Sequence, residues 1–219
     1  GDIREYDLLE EMVKDWGVPD IIFHAAALKH VTPNEWYPIE AVKTNILGTA
    51  NILRFAKFHE VSKLINISTD KVVNGESIMG LTKKIAEKMV KNSGYVSVRF
   101  GNVLSSRGSV IPIWQAQIDR GESLTVTDPK MERYFMTIPE ACKLVIKASE
   151  IGEPGQIIIL DMGEPVNVDK LAKEILKKVD KESLGINYIG KRPGETLDEK
   201  LMTEEEKLIA KKVDKFLII

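Results

Sequence analysis

"KLINISTDKVVNGESIMGLTKKIAEKMV", residues 63–90, decides how the rest of the chain is read. Its opening run KLINIS is apolar and β-prone, and its closing run LTKKIAEKMV has helical spacing. Thr69, Asp70 and Lys71 fall where the strand must end, and Met79 and Lys83 share one face of the helix's opening turn. Two readings compete at this junction. One is an ordinary strand-to-helix loop in which Asp70 caps the helix and Lys71 is solvated. The other is an active site with Met where a Tyr would be expected.

Outward from this stretch the same alternation recurs. DIIFHAAAL (20–28) reads as a buried strand. Pro38 opens a helix that runs through KTNILGTANIL (43–53), with Asn45 among apolar neighbours. YVSVRFGNV (95–103) and GQIIILDM (155–162) are two further strands, separated by a capped helix in TIPEACKLVIKASEIG (137–152). Strands apolar on both faces and alternating with helices predict a parallel sheet covered on two sides. Residues 104–135 are rich in Gly, Ser, Pro and Arg and read as loops and a small cap, with one helix around 114–120. VNVDKLAKEILKKV (166–179) is a helix, and the remainder mixes a short strand, a turn and a final helix.

The 219 residues are 43% hydrophobic and 29% charged, which suits one large globular domain with a smaller appendage. The 31 basic and 33 acidic residues nearly cancel, so no basic field points to nucleic acid. The mixed-sign runs KLAKEILKK and TEEEKLIAKK read as solvated helix faces. Cys142 is the only cysteine, which rules out an intramolecular disulfide framework, suits a reducing compartment and predicts a buried structural thiol. No apolar stretch approaches the ~20 residues of a membrane span. A cytoplasmic protein without membrane or nucleic-acid partners is the expectation. GDIREYDLLEEMV runs straight into a helix signal and reads as the middle of a domain.

Ligands of open parallel sheets bind beyond the carboxyl ends of the strands. That rule selects HAAALKH, STDK, RFGNVLSSRG and DMGEP. A carboxylate and an amine side by side can act as acid and base in loss of water, provided their environment tunes them apart.

These motifs carry a resemblance. HAAALKHV, KTNILGTANIL, STDK, RFGNVLSSRGSVIP, TDPKMERYFMTIPEA, LDMGEPV and RPGETLDE stand in the order found in CapD-type UDP-N-acetylglucosamine 4,6-dehydratases of polysaccharide biosynthesis, a branch of the extended short-chain dehydrogenase/reductase superfamily. The resemblance covers essentially the whole chain. It implies an α/β fold, a partial Rossmann-type doubly wound parallel sheet that lacks its first strands and Gly-rich loop, with a small C-terminal substrate-binding region. The Rossmann half would span 1–103, the cap 104–135, a returning helix and strand 136–163, and the C-terminal region 164–219.

The family's chemistry is an internal redox cycle on NADP or NAD. Hydride leaves sugar C4, water is lost across C5–C6, and hydride returns to C6. By resemblance Asp70 is the acid at the C6 hydroxyl, Lys71 the base at C5, and Thr69 a hydrogen-bonding group near the C4 oxygen. Lys83 would hold the nicotinamide ribose. Met79 replaces the superfamily's Tyr and cannot titrate, which leaves Asp70, Lys71 or a water relayed through Thr69 to take the C4 proton. Asp2 and Ile3 would meet the adenine, and Ala25, Ala26, Ala27, Asn45, Ser68 and Gly101 would line the cofactor. Arg107, Arg133 and Arg192 would take the diphosphate, Asn102 and Glu195 the sugar nucleotide, and Lys29 and His30 the sugar.

Competing expectations are a nucleotide-sugar 4-epimerase and a catalytically idle binding or assembly module. No G-x-x-G-x-x-G occurs in the chain, and with the neighbouring strands of the intact sheet missing, the strand IIFHAAA becomes an exposed edge. Such an edge invites pairing with another chain, so a homo-oligomer that binds dinucleotide weakly or not at all is expected.

Overall fold

The computed structural model describes residues 1–219. Helix α1 (Tyr6–Trp16) leads into strand β1 (Ile21–His24). Short turns at Val31–Trp36 and Pro38–Ala41 precede a π-helical segment, Val42–Gly48, that continues into α2 (Thr49–Phe58). Strand β2 (Lys63–Ile67), helix α3 (Ile78–Asn92) and strand β3 (Val96–Arg99) complete the first half. Helix α4 (Val110–Asp119) belongs to the cap. Helix α5 (Ile138–Ile151) and strand β4 (Ile157–Leu160) return to the sheet, and α6 (Val168–Lys178) returns to the cap. A last short helix, α7 (Glu204–Ile209), precedes strands β5 (Lys211–Val213) and β6 (Phe216–Ile218).

The central sheet runs β1-β2-β3-β4-β6-β5, parallel through β4 and antiparallel beyond it. Both faces are covered, as the two-sided apolar strands require. Ile52, Leu53, Phe55 and Ala56 of α2 pack with Leu64 and Val90 on one face. Ala141, Val145 and Ala148 of α5 pack with Val98, Ile158 and Leu160 on the other. Strand β1 is an outer strand, and Ile21 and Phe23 on it are exposed.

The cap has its own core around Trp114, which is fully buried among Leu124, Val126, Val168, Ala172 and Leu176. The Trp114 indole N–H donates to the Thr125 carbonyl at 2.8 Å, which satisfies its one polar atom. Strand Leu124–Val126 pairs in parallel with Ile186–Tyr188, tying the cap to the C-terminal region.

Two expectations need correction. The final helix is short, because Lys211–Val213 turns into a hairpin whose second strand pairs with β4 and buries Phe216. The chain's last strands therefore sit in the central sheet and not in the substrate region. Cys142 is exposed. The face of α5 that meets the sheet is set by Ala141, Val145 and Ala148, and the residue after Ala141 points about 100° away from it.

Candidate active site

The carboxyl ends of β1, β2 and β3, the cap and the C-terminal segment enclose a cavity of about 500 Å³. Its floor is built by the STDK turn. Past the end of β2 the backbone keeps pairing with β3's extension: the Ser68 N–H donates to Val98 O at 2.7 Å and the Asp70 N–H to Phe100 O at 3.2 Å. Asp70 is thereby fixed and almost wholly buried, at 1% exposure. Lys71 opens a single helical turn that ends at Gly75, in the left-handed region at φ 59°. Helix α3 then starts at Ser77, whose hydroxyl accepts the Gly80 N–H at 3.0 Å. Gly80 is required there, since a Cβ would stand 2.5 Å from the Lys71 carbonyl oxygen.

Three charged side chains meet on this floor. Lys71 Nζ lies 3.1 Å from Asp70 Oδ1, 2.9 Å from Glu199 Oε1 and 3.0 Å from Asn102 Oδ1. Thr69 Oγ1 donates to Asp70 Oδ1 at 2.9 Å. Burial works to raise the Asp70 carboxyl, but the Lys71 ammonium and the surrounding hydrogen bonds outweigh it and hold Asp70 below its ordinary range. Burial likewise opposes charge on Lys71, and the two carboxyl groups overcome it and keep the ammonium protonated. Glu199 goes the other way. Burial and the neighbouring Asp70 charge push it up to about 7, against the pull of Lys71 and Arg133.

Met79 and Lys83 project from α3 into the same cavity. Met79 is buried at 3% exposure, so a thioether fills the place of a phenol. Lys83 Nζ donates to the Ile67 carbonyl at 2.6 Å, and burial depresses its pKa to about 8. Asn45 stands behind the wall. It lies in the π-helical segment, accepts the Leu28 N–H at 2.8 Å, and donates to Leu28 O at 3.1 Å and Thr82 Oγ1 at 3.0 Å. It therefore locks the loop after β1 to α3 without lining the cavity. Ala25 and Ala27 line it, while Ala26 faces solvent.

Lys29, His30, Arg192 and Glu195 form the outer end. Lys29 Nζ donates to Ser106 Oγ at 3.2 Å, and the His30 ring packs so closely on Gly108 that a Cβ there would meet it at 2.7 Å. Burial lowers the pKa of both Lys29 and His30. Arg192 pairs with Glu195 at 2.6 Å. Gly101 lets the chain pass Asp70, because a Cβ would lie 2.9 Å from Asp70 Oδ2.

Four expected ligand contacts are arranged otherwise. Arg133 reaches the cavity, but its guanidinium donates to the carbonyls of Glu132 (2.7 Å), Leu197 (3.0 Å) and Thr196 (2.7 Å) and lies 3.2 Å from Glu199. It is an organiser of the 196–199 segment and not an open fork for a diphosphate. Arg107 lines a neighbouring groove with Tyr37 and Glu40. The Asp2 carboxylate is held by Arg4 at 2.6 Å, and the hydrogen bonds from Arg4 lower its pKa to about 2. Ile3 packs onto Gly48, so its side chain is turned into the core between α1 and α2.

Residues 1–219 match throughout the family described as polysaccharide biosynthesis protein. The chain belongs to that family. The capsular polysaccharide biosynthesis protein CapD of Staphylococcus aureus is 49% identical over 197 residues, which are 86% of this chain and 33% of that protein. The chain thus spans about a third of that relative's length. A UDP-glucose 4-epimerase of Rickettsia bellii is 39% identical over 94% of this chain and 62% of its own. Among solved structures, Pen from Bacillus thuringiensis superposes with a TM-score of 0.94 at 38% identity, covering 100% of this chain and 71% of that one.

In this member of the polysaccharide biosynthesis protein family, the charged residue that sequence reasoning missed is Glu199. It sits at the end of RPGETLDE, and Arg133 and Lys71 draw it inward. The motif itself was the only signal for it.

Proposed function

We propose that this chain carries the acid–base and sugar-binding part of a nucleotide-sugar 4,6-dehydratase, acting on UDP-N-acetylglucosamine with NADP or NAD. The observation behind this reading is the Asp70–Lys71 couple, 3.1 Å apart on the floor of the cavity, beside a Met79 that cannot exchange a proton. Loss of water needs both an acid and a base on the sugar, whereas epimerisation at one carbon needs only proton exchange at its oxygen.

The residues present fit the nicotinamide end of a dinucleotide. Lys83 is a buried ammonium with one carbonyl partner and further N–H donors facing the cavity, suited to ribose hydroxyls. Ala25 and Ala27 leave the backbone open to close approach. When bound, the dinucleotide supplies hydride acceptance from C4 and its return at C6. The chain's own side chains do the rest. Lys71, once neutral, takes the C5 proton, and Asp70, once protonated, hands its proton to the C6 hydroxyl, which leaves as water. Thr69 holds the C4 oxygen, whose proton passes to Asp70, Lys71 or a water relayed through Thr69. Lys29 and Arg192 supply positive charge for the diphosphate end, with His30, Asn102 and Glu195 as polar partners.

Incubation of the intact protein with UDP-N-acetylglucosamine tests this directly. A product lighter by one water supports it. A second reading, a nucleotide-sugar 4-epimerase, is favoured by the 39% identity to the Rickettsia enzyme. It predicts an epimer of unchanged mass, and that outcome would replace the first reading.

A further inference from the structure

Asp70 Oδ2 and Glu199 Oε2 are both sealed from solvent, and neither receives a hydrogen bond from any protein donor. An ionised carboxylate only accepts, so a bare buried oxygen on each of two neighbouring carboxyl groups calls for a proton. The two carboxyl groups are brought together by Lys71, whose Nζ lies 3.1 Å from Asp70 Oδ1 and 2.9 Å from Glu199 Oε1 and so leaves the second oxygen of each without a donor. Like charges sharing a site cannot both ionise, and one proton between them resolves the conflict. We infer that Glu199 and Asp70 hold a single proton between Oε2 and Oδ2, and that Glu199 is the positioning residue that loads Asp70 for its role as acid. The catalytic half of this inference rests on the dehydratase reading; the shared proton does not.

The charged groups facing the pair explain where the proton rests. The Lys71 ammonium, from the turn after β2, touches both carboxyl groups, and Arg133, from the Glu132–Arg133 strand, touches Glu199 Oε1 alone. Burial raises the Tyr134 pKa, and the Glu164 and Asp70 charges add to it. Asp70 is held low and Glu199 high, so at rest the proton is on Glu199 and is donated to Asp70. To load the site, the Glu199 Oε2–H bond breaks as Asp70 Oδ2–H forms. The carboxylate left behind lies 2.9 Å from Lys71 Nζ and accepts its proton, leaving a neutral amine. The net change is an acid at Asp70 and a base at Lys71, with Glu199 again protonated and no proton drawn from solvent.

Carboxyl-carbon NMR of the intact protein with labelled glutamate tests the shared proton, and the variant Glu199→Gln assigns it. The amide can still donate to Asp70 and accept from Lys71 and Arg133, so the fold is kept while the transferable proton is lost. One glutamate resonance titrating near neutrality, absent in the variant, is expected. A spectrum without such a resonance overturns the inference. With UDP-N-acetylglucosamine as substrate, Glu199→Gln should lower kcat by about 10²–10³-fold with little change in KM, and should lose the pH-dependence near neutrality. A variant with wild-type kcat and pH profile overturns the loading role. If the resonance titrates but wild-type protein releases no water, the shared proton stands and the dehydratase reading falls.

Discussion

Two clusters of buried charge lie close together in this molecule, built from the same residue types and ending in different states. Arg99 on β3 faces Glu87 of α3 at 2.6 Å and Glu206 of α7 at 2.8 Å, and it donates to the Leu201 carbonyl at 3.0 Å. Glu87 also accepts from Ser68, one residue before Thr69, at 2.5 Å. Every carboxylate oxygen of this clamp has a donor. The Asp70–Lys71–Glu199 cluster, on the other side of Ser68, leaves two oxygens bare. A fully satisfied network fixes a fold, and a partly satisfied one stores a proton in an unsettled place.

The comparison can be broken from either side. The largest effect is expected at the site: Asp70→Asn should reduce water loss from UDP-N-acetylglucosamine by about 10²–10⁴-fold with only a modest loss of thermal stability. A melt that fell as steeply as the turnover would make Asp70 structural. The clamp should behave in reverse. Arg99→Ala leaves Glu87 buried and unpaired, at a cost of roughly 3–5 kcal/mol in urea unfolding. Equal stability of this variant and wild type would mean that the clamp holds nothing.

A smaller effect separates the two clusters by pH. Glu199 rises from 4.5 to about 7 on folding, so its contribution to stability is complete below pH 4.5 and is lost as pH rises through 7. Relative to wild type, Glu199→Gln should therefore gain stability between pH 4.5 and 7, by at most about 3 kcal/mol, in urea titrations at stepped pH. In the clamp, burial opposes ionisation of Glu206, but Arg99 overcomes it and lowers the pKa. Its contribution is thus lost as pH falls. His24 adds to that second trend. Burial and the Lys83 charge lower its pKa from 6.5 to about 4, so its contribution is complete above 6.5 and is lost as pH falls towards 4. The smallest effect is expected from Met79→Tyr. If proton exchange belongs to Asp70 and Lys71, restoring a phenol beside Lys83 should leave turnover within about tenfold of wild type, or about 1.4 kcal/mol in the barrier.

The alternating half of the chain was legible because strands buried on both faces write a continuous apolar run, as in GQIIILDM. The STDK turn was legible for a related reason. Charged residues directly after such a run stand at the carboxyl edge of the sheet, where ligands of parallel sheets bind. The C-terminal hairpin escaped because KKV looks helical beside TEEEKLIA, and only the register against β4 makes it a strand. Glu199 escaped because its burial depends on Arg133 and Lys71, which are distant in sequence and meet it only in the folded chain. For Arg133 and Ile3 the motif gave the residue's position and not the direction in which its side chain is turned.

The π-helical segment Val42–Gly48 has a further consequence for how this region can vary. It inserts one residue into a helix and so sets the rotational phase between Asn45 within it and Ile52, Leu53 and Phe55 after it. Deleting a single residue would restore an α-helical turn and rotate one group about 100° relative to the other. Asn45 could then reach Leu28 and Thr82, or α2 could meet the sheet, but not both. Apart from Asn45 and Gly48, the segment should tolerate substitution far better than any change of length.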